Sequence, residues 1–281
     1  MRSVAEGGLA TPARRPTALP SYGRGMRRLV IGVLVLVGVL VAVDFGAAAL
    51  AESAVSRQMR SQLGLADDPS VRINGFPFLI QAVSGQYSSI DVDAQRIPAG
   101  PFQQLEVKAQ LHNVAAPLPM LLGSGPKTVW VATADGTVRV NADDLQRLVP
   151  QLKKARIESV DEKALQHVVE DGADPTLADL DPDQVARIVG TVDVLGQPVE
   201  IATLVTLELD RGKASIAPRD VRLVDGTALP LPAAAQRALL ERFKQPLDTG
   251  ALPLQVTPKT FEVVDGTLAI GGTAANLTIG G

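Results

Sequence analysis

The chain has 281 residues, 46 % of them hydrophobic and only 3 % aromatic, with 27 Lys and Arg against 30 Asp and Glu for a formal charge of −3. It has no cysteine, which excludes disulfides, thiolate nucleophiles, cysteine-based zinc sites and a lipobox-type lipid anchor. Six Arg and one acid precede Asp44, and the remaining 21 basic and 29 acidic residues give the body a charge of −8, too acidic for the basic surface that nucleic-acid binding needs.

Residues 1–25 are rich in Pro, Gly and Arg without apolar periodicity and read as a disordered cytoplasmic tail. Leu29 to Val43 is then uninterrupted and apolar, is broken by Asp44, and resumes as Phe45 to Ala51. The whole run approaches the ~20 residues a bilayer-spanning helix needs. Arg24, Arg27 and Arg28 just ahead of it place the N-terminus in the cytoplasm and everything after Asp44 outside. Residues 26–51 thus read as a signal anchor or a signal peptide. Ala49-Leu50-Ala51 has the small-x-small form that a signal peptidase accepts, whereas the tail is long for a signal peptide. An uncleaved or partly cleaved anchor is favoured; cleavage after Ala51 would give a periplasmic or secreted body. Residues 52–281 form one extracytoplasmic domain, with no linker long enough to divide it.

From Ala47 the pattern is amphipathic, with Val55, Met59 and Leu63 on one face and Gly64 as the C-cap. Val71 to Val92 is the unusual stretch. It holds Phe76, Phe78 and Tyr87, three of the four Phe and Tyr residues between Glu52 and Trp130. Gly75 and Gly85 bracket an apolar run, Phe76 to Val83, in which Pro77 cannot donate to a ladder. The expectation is strand, apolar turn, short segment, strand, with the turn either plugged into a core or offered to an apolar partner.

Alternation then predicts strands over Ser88 to Ala94 and Leu105 to Val114. Thr128 to Val140 reads as a hairpin turning at Asp135-Gly136. Asn141 caps a helix from Ala142 to about Leu148. Ser159 and Glu162 form a capping-box pattern for a helix over Asp161 to Glu170, followed by an acidic loop from Asp171 to Asp183. Ile188 to Val194 and Val199 to Leu209 are strands joined at Leu195-Gly196-Gln197, with a turn at Asp210 to Lys213 into Ala214 to Ala217. Ala233 to Phe243 is a helix with Pro232 at its first position. Phe261 to Val264 and Thr267 to Ile270 pair across Asp265-Gly266, and Leu277 to Ile279 closes the sheet. The fold class is α+β: a strongly curved antiparallel sheet with a few packing helices, preceded by one transmembrane helix.

Catalytic groupings are weak. His112 lies on a strand's polar face and His167 on a helix, neither with a nucleophile or carboxylate at catalytic spacing, so both read as solvated or structural. Asp179, Asp181 and Asp183 begin like a calcium loop, but Gln184 and Gly190 stand where an EF-hand wants Gly and Glu, so the loop reads as solvated and helix-capping. Gly123 to Thr128 lacks the spacer of a phosphate loop, and Pro126 removes a donor. No metal site, cofactor or enzymatic activity is expected.

The order of basic tail, membrane segment ending in Asp44, short helix, Gly75-Phe76-Pro77-Phe78-Leu79 and Ser84-Gly85-Gln86-Tyr87 resembles the LmeA-like family of actinobacterial envelope phospholipid-binding proteins. Leu252 to Val256, Val264 to Ile270 and Gly272 to Thr278 are similar to that family's C-terminal part. Lys153 to Asp183 has no counterpart in the resemblance and reads as an insertion or a diverged segment. The resemblance implies a non-enzymatic protein that takes phospholipid acyl chains into an apolar groove or tunnel of a tubular lipid-binding fold, with lipid transfer as a further implication, and with Gly75, Phe76, Pro77, Phe78, Leu79 and Tyr87 as candidate lipid contacts. Its partners are phospholipid and the membrane. The competing reading is a structural scaffold that binds other envelope proteins, with the apolar stretch fully internal.

Overall fold

In a computed structural model the described residues are 24–279, other than 101, 118, 120–127, 195, 211–212, 230–233, 235, 237, 239, 242–243 and 248–256. The expected tail before Arg24, most of the Gly123 to Thr128 loop, and the helix over Ala233 to Phe243 lie largely outside them. The chain divides at Asp44 into two compact units. The described part of the first belongs to helix α1 (Arg24–Leu63), whose side chains from Leu29 to Val43 are apolar on nearly every face and mostly exposed. A helix apolar all round and not buried in protein is suited to lipid, and α1 is the one helix among the described residues long and apolar enough to cross a membrane.

From Asp44 onward α1 belongs to the second unit. Ala51 is buried there, with Ala47, Ala48, Val55 and Met59 packed against the same cluster. The helix ends as its sequence predicts: Gly64 takes φ +64° and the Leu65 amide donates to the Arg60 carbonyl at 3.0 Å, the left-handed stop that glycine permits. Leu63, expected on the packed face, is 44 % exposed, because that stop ends the packed face one turn earlier.

Eleven strands among the described residues form two open antiparallel sheets. The larger runs in the order β1 (Ser70–Asn74), β2 (Gln86–Ala99), β3 (Phe102–Ala115), β4 (Val129–Val140), β11 (Thr267–Ile279), β10 (Thr257–Val264). The smaller runs β5 (Lys153–Ser159), β6 (Val185–Val194), β7 (Gln197–Asp210), β8 (Lys213–Leu223), β9 (Gln245–Leu247). One core joins them: Leu105, Val107, Val140, Phe261 and Leu268 from the larger sheet pack with Ile157, Ile188, Val205 and Ile216 from the smaller. The α+β class is correct. The sheets are not closed.

One turn and one strand boundary differ from expectation for one reason. Asp135-Gly136 is not a turn but the middle of β4, since Asp135 pairs with Gln110 on one side and Thr273 on the other, and Gly136 with Ala109 and Gly272. Ladder partners on both edges outweigh the local turn preference of the dipeptide. Leu277 to Ile279 is likewise the end of β11, paired with Val131 to Val129, not a separate closing strand.

A row of skipped pairs crosses four strands at Ser88, Asn113, Ala132 and Asn276. Asn113 and Asn276 have φ near 50°, a conformation Asn tolerates better than most residues. The alternation reverses across the row, so that Ile90 and Tyr87, three residues apart, are both buried, as are Ala109 and Val114, five apart. An uninterrupted strand would place each pair on opposite faces.

Helix α3 (Ala142–Leu148) is capped as expected, Asn141 Oδ1 accepting from the Asp144 amide at 2.8 Å. Asp144, fully buried, accepts from the amides of Gln103 and Gln104 at 2.9 Å each and pairs with Arg147. Helix α4 (Glu162–Glu170) is capped by Asp161, which accepts from the Ala164 amide at 2.7 Å, and not by Ser159, which ends β5. The acidic loop that follows contains two 3-10 turns, Pro175–Asp179 and Pro182–Gln184, capped by Asp174 and Asp181. Lys153 to Asp183 is built into the domain: Leu165 and Leu177 pack with Val185 and Leu204. Buried Arg222 donates to the Val168 carbonyl at 2.8 Å, a cation at the carboxyl end of α4.

Candidate functional site

Val71 to Val92 folds as strand β1, a three-residue turn, helix α2 (Phe78–Ser84) and strand β2. The apolar run is therefore a helix rather than the turn and short segment expected. Gly75 makes the entry possible at φ +108°. A Cβ there would lie 2.6 Å from Ser88 Oγ and 2.7 Å from Gln81 Nε2. Gln81 Oε1 accepts from the Ser88 amide at 3.0 Å, and Ser88 Oγ donates to the Asn74 carbonyl at 2.9 Å. Gly85, left-handed at φ +67°, ends the helix.

Pro77 stands at the N-cap and offers α2 no side-chain acceptor. Asp44 supplies it from 34 residues away: Oδ2 accepts from the Phe78 amide and Oδ1 from the Leu79 amide, both at 2.8 Å. A carboxylate on the first free amides of a helix satisfies its orphan donors and complements its dipole. Asp44 is only 5 % exposed. The neighbouring turns of α1 are tied to β1 and the segment before it, with the Ile73 amide donating to Glu52 Oε1 at 2.7 Å and Ser56 Oγ to the Pro69 carbonyl at 2.6 Å.

The six candidate residues separate into three groups. Gly75 and Pro77 shape the turn. Phe78 and Tyr87 are buried, with ring centroids 6.4 Å apart. Burial pushes the Tyr87 phenol above its ordinary range, and its Oη has no hydrogen-bond partner among the described residues. Phe76 and Leu79 face outward, 62 % and 40 % exposed. Phe76 stacks on Phe45 at 6.1 Å.

Three residues outside the candidate set belong beside them. Ile80 and Val83 are exposed on α2, three apart and so on one helical face. Asp44 is the third. Its signal was in the sequence: a carboxylate inside an apolar run requires a partner.

The other candidate chemistry disperses. His112 lies near Asp135 and His167 near Glu170, both on the surface. Among the described residues there is no group of three or more His, Asp or Glu that could hold a metal. Asp181 caps its 3-10 turn by accepting from the Asp183 amide. The Asp174 carboxyl is held below the usual carboxylate range by the hydroxyl and amide of Thr176. An open trough of about 650 Å³ crosses the larger sheet, lined by charged and polar residues including Arg72, Asp91, Lys108, Asp135 and Lys259. None of the six candidate residues lines it. Asp91 is satisfied there by Asn74 and Gln110, at 2.8 and 2.9 Å.

A family model described as LmeA-like phospholipid-binding matches residues 42–273, a span that takes in Lys153 to Asp183. No curated protein and no solved structure matches the chain.

Proposed function

Since the chain belongs to the LmeA-like phospholipid-binding family, we propose that it is a non-enzymatic, membrane-anchored phospholipid-binding protein of the cell envelope. The single observation that supports this placement of the site is the outward exposure of Phe76, in the turn, and of Leu79, on the helix that follows, whose other face, Phe78 and Ala82, is in the core. Gly75 and Pro77 set the turn, Phe78 and Tyr87 hold it from behind, and Phe76 and Leu79 meet the acyl chains. Each CH₂ taken from water contributes ~0.8 kcal/mol, so aliphatic and aromatic contact suffices without a catalytic or metal centre. An apolar groove leading inward from this point, and transfer of the bound lipid, complete the proposal.

Residues 1–25 are the cytoplasmic tail, held there by Arg24, Arg27 and Arg28, and the body is extracytoplasmic. The anchor is retained, because residues 44–51 carry the α2 cap and part of the core. The scaffold reading draws on Phe78 and Tyr87 being internal.

Full-length protein reconstituted in vesicles with a phospholipid carrying a photoactivatable acyl chain tests the proposal. Labelling of peptides within 71–92, reduced by Phe76→Asp without loss of folding, is the expected result. No label anywhere in the body would refute lipid binding and leave the scaffold reading.

A further inference from the structure

Helix α2 has apolar side chains on both of its faces. Phe78 and Ala82 enter the core, while Ile80 is 66 % and Val83 89 % exposed. Leu79 and Phe76 lie beside them, and Phe76 stacks on Phe45, itself 64 % exposed. Single exposed apolar residues need no explanation, but a contiguous group marks a surface that meets something. From Ile73 to Ile90 the chain runs 18 residues without a charge.

The occupant follows from chain continuity. Phe45 is two positions beyond Val43, the last residue of the apolar run, about 3 Å of helical rise. If the 20 residues of α1 from Met26 to Phe45 cross a bilayer, with Arg27 and Arg28 reaching back to the headgroups, Phe45 lies at the far hydrocarbon–headgroup boundary, and Phe76, stacked on it, lies there too. The acidic body, at −8 after Val43, has no general electrostatic attraction to anionic lipid, so contact with a leaflet has to be apolar and charge-free.

We propose that Phe45, Phe76, Leu79, Ile80 and Val83 form a bilayer-docking face that enters the headgroup–acyl boundary of the leaflet next to the anchor. Interfacial apolar faces bury about 5–10 Å into that boundary. The docking face holds the domain against the membrane, so that a lipid reaches the protein without crossing water. This inference rests on the apolar first half of α1 being a span; it does not rest on capture of a single lipid.

The absence of cysteine makes the test direct. Single variants Ile80→Cys, Val83→Cys and Glu162→Cys of the full chain are labelled with an environment-sensitive fluorophore. They are reconstituted in nanodiscs of zwitterionic phospholipid, with and without nitroxides on the acyl chains. Probes at 80 and 83 should shift to the blue, lose emission to the lipid nitroxide and resist an aqueous quencher, while the probe at 162 does the reverse. The variant Ile80→Asp/Val83→Asp, probed at Ser84→Cys, should lose nitroxide quenching with an unchanged thermal transition, since both substituted side chains are exposed. Equal aqueous access at 80, 83 and 162 would overturn the proposal. So would shielding of 80 and 83 without nitroxide quenching, which would mean that a second copy or another protein covers the face. Capture of a single phospholipid is read separately, with a short-chain photoactivatable phospholipid added to the full chain in micelles free of any bilayer, so loss of docking with that labelling retained defeats only this inference, and the reverse only lipid capture.

Discussion

Asp44→Ala is the sharpest test of how the Asp44 turn of α1 and the α2 region are joined. It removes both oxygens that accept from the Phe78 and Leu79 amides at 2.8 Å. An unsatisfied buried donor costs ~1–3 kcal/mol, with the upper end for bonds to a charged group. Phe78 is 4 % exposed, so its amide bears most of that cost, whereas Leu79 is 40 % exposed and water can replace the carboxylate there. The expected loss is therefore about 2–3 kcal/mol rather than twice that, close to the range of measured helix-cap deletions. It appears first as local opening. Amide exchange at Phe78 and Leu79, read by mass spectrometry on the full chain in nanodiscs, should quicken by about 30- to 150-fold. Amides of β6 and β7, in the smaller sheet, should not change. Asp44→Asn keeps one acceptor oxygen and should recover roughly half the effect. Unchanged exchange at Phe78 in Asp44→Ala would refute the view that this carboxylate holds α2.

Phe78→Ala should destabilise the domain by ~3–5 kcal/mol as a core aromatic truncation, while Phe76→Ala, losing mainly the stack on Phe45, should cost no more than about 1.5 kcal/mol; denaturant unfolding distinguishes them, and equal losses would remove the division between core and outward-facing ring. Tyr87→Phe should be neutral or stabilising, because it deletes a buried hydroxyl with no partner among the described residues. The phenol's pKa is raised in the folded state by burial, so its contribution is fully present below the unfolded value of ~10 and is lost as pH rises toward the folded value; Tyr87→Phe should flatten that alkaline decline in melting temperature. Gly75→Ala should destabilise by more than ~1 kcal/mol, since φ is +108° and the new Cβ would displace Ser88 Oγ from 2.6 Å; a melting temperature equal to the parent's would show that the turn relaxes freely.

The α+β class and most strands were legible because strand alternation depends on which face is buried, and that is written residue by residue. Leu105, Val107 and Ala109 are buried as the pattern requires. The Gly64 stop and the Asn141 cap were legible because they involve neighbours in sequence. Asp135-Gly136 misled because its turn preference is local, while its partners Gln110 and Thr273 lie far away in the chain. Phe76 to Val83 misled differently. Its helical periodicity is hidden, since both faces of α2 are apolar, and an unbroken apolar run does not reveal its period. The reversal of alternation between Tyr87 and Ile90 was equally invisible, being set by a row of skipped pairs across four strands.

Asp44 shows why the boundary between the apolar run and the domain was the hardest part to read. As sequence, it is an interruption in an apolar segment, and Ala49-Leu50-Ala51 beyond it has the form of a cleavage site. As structure, an ionisable group in apolar surroundings is tolerable only with its bonds satisfied, and the bonds it makes are to the amides of Phe78 and Leu79. A body cut after Ala51 would lose that cap, the packing of Ala47, Ala48 and Ala51, and Phe45 from beneath Phe76. The outward face of α2 would then be left on an uncapped seven-residue helix, too short to hold its shape by backbone bonding alone. Retention of residues 44–51 and integrity of α2 are thus one requirement, because those eight residues carry both the cap of α2 and part of the core beside it.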